Sequence, residues 1–150
     1  MTTNEVLAKQ NFITKIKFKD GDAELSRELK VKIMGMRIEY SKIRRAFDAD
    51  LQEFAKELIP EEFNVLNSKQ DKTEEESKRL EELTKQINED YNSYVNTRGQ
   101  EEVQINNKSF TEDEYNEIVA VNAGNDVEIN GQQLSSADFL EIFYSLFVTE

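Results

Sequence analysis

LSRELKVKIMGMRIEYSKIRRAFDADLQEFAKEL, running from Leu25 to Leu58, decides the fold. Leu25, Leu29, Ile33, Met36, Tyr40, Ile43, Phe47, Leu51, Phe54 and Leu58 recur at steps of three and four. Nine steps span 33 residues, a period of 3.67, which is the repeat of one face of an α-helix. The pattern predicts a helix from about Asp22 to Ile59, roughly 57 Å long. Pro60 stops it. The period lies nearer the 11-residue repeat than the heptad, so a partner runs almost straight along it. Gly35, inside the helix, weakens that turn or admits close approach of another backbone.

The chain on either side of this stretch extends the helical reading. Thr2-x-x-Glu5 forms a capping box, and Val6, Ile13 and Ile16 predict a helix over about 3–18. The alternation Ile16-Lys-Phe18 also fits a strand, and Asp20-Gly21-Asp22 is a turn. Beyond Pro60, Asn67 to Lys72 is a polar connector. A second capping box, Thr73-x-x-Glu76, opens a helix over about 73–96. Its apolar face, Leu80, Leu83, Ile87, Tyr91 and Tyr94, is narrow, as on an exposed helix laid against a longer one. Helix, short connector, helix makes an antiparallel hairpin, and residues 1–98 are expected to form a helical arm.

Residues 99–150 contain a duplication at an offset of 24. Val103-Gln-Ile105-Asn106-Asn-Lys-Ser-Phe110-Thr111-Glu-Asp-Glu114-Tyr115-Asn-Glu117-Ile118 lies over Val127-Glu-Ile129-Asn130-Gly-Gln-Gln-Leu134-Ser135-Ser-Ala-Asp138-Phe139-Leu-Glu141-Ile142. Val, Ile, Asn, Glu and Ile are identical, and five further positions keep their chemistry. Each half reads as a short Val-x-Ile strand, an Asn-rich turn, a Thr or Ser N-cap and a helix. The expected module is β-turn-α twice, over 99–122 and 123–150, with the two strands paired. The fold class is therefore mainly α with a small β element: a long helical hairpin plus a duplicated head.

Composition removes much chemistry. The 150 residues include no His and no Cys, which excludes imidazole acid–base work, thiol nucleophiles, disulfides and zinc fingers. Lys and Arg number 19 against 31 Asp and Glu, a formal net charge of −12. Residues 1–60 carry 12 bases and 10 acids, whereas residues 99–150 carry one base, Lys108, against 11 acids. Nucleic-acid binding by that acidic head is excluded, because phosphate contacts require Lys and Arg. No window is apolar enough to span a bilayer and the first twenty residues do not read as a secretory signal. A cytoplasm is the expected location, without membrane attachment.

The candidate sites are weighed against plainer roles. Asp20-Gly-Asp22-Ala-Glu24 lacks the Glu that a calcium loop needs at its twelfth position, which is Val31. Glu74-Glu75-Glu76 and Glu112-Asp113-Glu114 occupy first helical turns, where acids complement the dipole. Gly-rich phosphate loops are missing. No catalytic, cofactor or metal residues are assigned. The final helix is apolar nearly all round, so Phe139, Leu140, Phe143, Tyr144 and Phe147 are either buried at home or form an interface. Arg37, Arg44 and Arg45 are a solvated face or a contact with an acidic surface.

The layout resembles small accessory proteins encoded among phage head and tail genes. The resemblance rests on the long helical hairpin with an acidic polar middle, the Val-x-Ile-Asn strand, and the helix Ser135-Ser-Ala-Asp-Phe-Leu-Glu-Ile-Phe-Tyr-Ser-Leu-Phe147. It implies a virion component or assembly factor, non-enzymatic, acting on other virion or assembly proteins or as a homo-oligomer. An acidic decoy that blocks a nucleic-acid-binding host protein is the alternative. An enzyme built on carboxylates or Lys is a third reading, and caps and exposed faces already account for most of the acids.

Overall fold

The computed structural model describes residues 1–148. Among them are six α-helices and two two-stranded antiparallel ladders. The chain is mainly α with a small β element, as the periodicity predicts. It divides into two compact units, one of Met1–Arg44 with Glu102–Glu150, the other of Arg45–Glu101. This differs from an arm over 1–98 and a head over 99–150. The N-terminal 44 residues belong with the duplicated segment, because their apolar side chains share one core with it.

In the first unit, α1 (Thr3–Ile13) starts at a complete capping box between Thr2 and Glu5. It ends at Ile13, five residues before the expected Phe18. Thr14 Oγ1 donates back to the Gln10 carbonyl at 3.0 Å, and the chain then turns into a hairpin of β1 (Lys19–Asp20) and β2 (Ala23–Glu24). Gly21, at φ 60, takes the first turn position. That hairpin displaces the start of the long helix, so α2 is Arg27–Leu58 rather than beginning at Asp22. Ser26 caps it, its Oγ accepting from the Leu29 amide at 3.3 Å.

After α2 leaves this unit, the chain returns at Glu102 and leads to α5 (Glu112–Asn122), β3 (Val127–Ile129), β4 (Gln132–Leu134) and α6 (Ser136–Phe147). The two Val-x-Ile segments do not pair with each other. Val127–Ile129 folds onto Gln132–Leu134 through Asn130-Gly131, both at positive φ (51° and 79°), the type I′ pattern. Residues 103–105 form no strand. Asn107 stands where its twin has glycine, and the loop is held by outside partners: Glu39 Oε1 accepts from the Asn106 amide at 2.7 Å, and Tyr40 Oη donates to the Asn107 carbonyl at 3.1 Å. Leu29, Ile33, Met36 and Tyr40 of α2 are buried in one core with Val6, Ile13, Ile118, Val121, Phe139, Phe143 and Phe147.

The second unit is a slimmer antiparallel hairpin. The part of α2 from Arg45 onward packs on α4 (Glu74–Gly99), with Phe54 and Tyr94 stacked at 4.0 Å and Arg98 Nε donating to Asp50 at 3.0 Å. Pro60 ends α2 as expected and also N-caps a helix that periodicity missed, α3 (Glu61–Ser68). Arg79 of α4 ties to Glu62 of α3 through two bonds, at 2.7 and 3.0 Å. Thr73 and Glu76 form a complete capping box.

Candidate functional site

Four of the residues named from the over-apolar last helix are core. Phe139, Leu140, Phe143 and Phe147 are all buried in this chain alone. α1 and α5 cover α6 from two sides. Phe12 of α1 stacks on Phe139 at 5.5 Å, Phe110 stacks on Phe143 at 5.6 Å, and Tyr115 Oη donates to the Leu140 carbonyl at 3.0 Å. Tyr144 is half-buried, with its hydroxyl on Glu112. Of the two readings of this helix, burial at home holds for these four side chains, because the helix needs its neighbours in the first unit to bury so many rings.

The arginines divide. Arg37 Nε and Nη2 donate to the carbonyls of Ile13 (3.0 Å) and Ile16 (2.6 Å), and its guanidinium lies 4.8 Å from the centre of the Phe18 ring. It thereby caps the C-terminus of α1, and burial lowers its pKa. Arg44 spans from α2 to α1, on Gln10, the Leu7 carbonyl and Asn11. Both therefore join elements inside the first unit. Arg45, in the second unit, is exposed.

Ionisable groups with shifted pKa values are accounted for by caps, ion pairs and burial. Burial pushes the Glu114 carboxyl up, but the Lys32 ammonium at 2.8 Å and the Thr111 amide outweigh it and hold it below its ordinary value. Glu76 is drawn down to about 2 by the Lys69 ammonium and the Thr73 amide. Burial lowers Lys9, whose Nζ donates to the Lys108 carbonyl at 3.2 Å beside an open groove floored by Ala8 and Leu146. Among the described residues, no three carboxylates are placed to hold a metal ion, and no helix is long and apolar enough to cross a membrane.

What stands out is a second stripe on α2. Val31, Met34 and Ile38, at i, i+3 and i+7, are 62%, 52% and 58% exposed. They lie on the side of the helix opposite Leu29, Ile33, Met36 and Tyr40. Gly35 is exposed among them, and a Cβ built on it meets nothing within 4 Å. Arg27 and Lys42, both exposed, stand in line with the stripe at either end. The sequence carried this signal, a second set of apolar residues half a turn away from the long stripe, but the stronger periodicity masked it. No family model matches the chain, and no curated protein or solved structure matches it either.

Proposed function

We propose that the protein works by surface contact, as a non-enzymatic structural or assembly protein, in a setting like that of phage head and tail accessory proteins. The observation that carries this reading is the outer stripe of α2. Three large apolar side chains on one helix face, each more than half exposed, gain nothing for a chain that works alone, and contiguous exposed apolar surface marks a contact site. The decoy reading draws less support. Glu102, Glu112, Glu114 and Glu117 commit their carboxylates to bonds within the chain, which thins the free negative surface.

The test places a photo-crosslinking residue at Ile38 in the producing cells, with a second variant labelled at exposed Glu75 as control. A defined protein adduct from position 38, missing from position 75 and lost with Met34→Asp, is the expected result. The adduct's mass identifies whether its partner is a virion protein. Equal labelling from both positions, or no adduct from position 38, overturns the reading.

A further inference from the structure

We propose that the outer face of α2 receives an acidic amphipathic helix of another protein, whose backbone comes closest at Gly35. The proposal rests on the surface-contact reading and names the chemistry of the partner. Glycine in a helix interior lowers stability relative to alanine, and nothing inside the chain requires it at 35, since a Cβ there meets open space. A notch flanking the middle of an exposed apolar stripe lets a second helix axis approach at the short end of the usual 8–10 Å range.

Charge selects the occupant. Lys30 is paired with Glu24, Lys32 with Glu114, and Glu39 with Asn106, so these flanking charges are spent. Arg27 and Lys42 remain, about 22 Å apart along the helix; Glu28 sits in the first turn at the positive end of the dipole. In a chain of net charge −12, this face is bracketed by cations. A second copy presenting the same face sets Arg27 against Lys42 when antiparallel, and each against itself when parallel, so like charges meet either way. A partner helix with acids bracketing its own i, i+3/i+4, i+7 apolar stripe satisfies both ends.

The test uses a synthetic helical peptide of about 20 residues, with a Leu stripe, one Trp, and Glu at both ends of the stripe. A second peptide carries Lys at those positions. The chain has five Tyr but no Trp, so Trp fluorescence excited beyond the tyrosine band reports on the peptide alone. The Glu peptide is expected to bind, the Lys peptide about tenfold more weakly at low salt, and the gap to narrow as salt rises. Gly35→Ala is expected to weaken the Glu peptide about tenfold while melting no lower than the parent, and Met34→Asp to abolish binding. Equal binding of both peptides, no binding of the Glu peptide, or unchanged affinity in Gly35→Ala overturns the proposal. So does concentration-driven dimerisation in light scattering that Met34→Asp dissolves, which assigns the face to a second copy. Stripe-dependent binding to anionic phosphatidylserine vesicles without peptide binding assigns it to lipid and overturns it too. Failure of the peptides with a specific adduct still formed at position 38 overturns only the acidic helix, whereas loss of both overturns the surface-contact reading as well.

Discussion

Asn122 serves the first unit as a strand would. Its Oδ1 accepts from the Lys17 amide at 2.8 Å, and its Nδ2 donates to the carbonyls of Lys17 (3.2 Å) and Ile118 (2.9 Å). The side chain is buried, so Asn122→Leu leaves the Lys17 amide and carbonyl without partners. We expect a loss of about 2–3 kcal/mol, read as a lower urea midpoint at unchanged slope. Nothing in the sequence marks Asn122, since its partner lies more than a hundred residues away. Tyr40 is a second buried polar group. Burial and the neighbouring Glu39 push its hydroxyl up to about 12, against 10.0 ordinarily. The folded state therefore holds the neutral phenol after the unfolded chain has ionised. That contribution is complete below pH 10 and drains away as the pH rises to about 12. Ultraviolet phenolate absorbance should show a last step near pH 12 that is missing in Tyr40→Phe, while Tyr115, which burial also raises, is delayed in both proteins.

Three of the four hydroxyl-capped helices of the first unit show which elements a sequence discloses. Phe18 to Ser26, Val103 to Thr111 and Val127 to Ser135 are each nine residues, ending in an apolar residue and a Ser or Thr N-cap. The two later copies are legible because, together with the helices that follow them, they share five identities over sixteen positions; the first shares mainly its Leu25-Ser26 ending and passes unseen. The long helix was legible because a 3.67 period over 33 residues admits no strand. The β1–β2 hairpin was legible only in its Asp20-Gly21-Asp22 turn, since two-residue strands carry no alternation, and α3 hid behind a proline that both ends one helix and begins another. The middle copy loses its hairpin where Asn107 replaces the Gly131 of its twin. Glycine's role thus depends on its element, and one substitution has opposite signs at two sites. Gly131→Ala, at φ 79, should cost about 1 kcal/mol. Gly35→Ala, in a helix with open space around it, should gain about 0.5–1 kcal/mol. Thermal melts of the two variants decide this.

At the scale of the whole molecule, the two units differ in how well they bury apolar surface. In Met1–Arg44 with Glu102–Glu150, Val6, Ile13, Ile33, Ile118, Phe143 and Phe147 are wholly buried. In Arg45–Glu101, among the described apolar side chains only Phe47 and Leu66 are classed as buried; Leu51, Phe54, Leu58, Leu83, Ile87, Tyr91 and Tyr94 each keep part of their surface in water. The narrow α4 stripe read from the sequence already implies this, since one face of a two- or three-helix hairpin cannot enclose a core. Local opening takes the least free energy where buried apolar contacts are fewest. We therefore expect native-state hydrogen exchange to open the amides of α3, α4 and the second half of α2 well before those of α5 and α6. A substitution in each unit separates them. Phe143→Ala should remove about 3–5 kcal/mol and lower the protection of α1, α5 and α6 together. Phe54→Ala, at a half-buried ring stacked on Tyr94, should cost less and leave α5 and α6 protected. If Phe54→Ala lowers protection throughout the chain by the same amount, the two units unfold as one and the difference in burial does not set their stability.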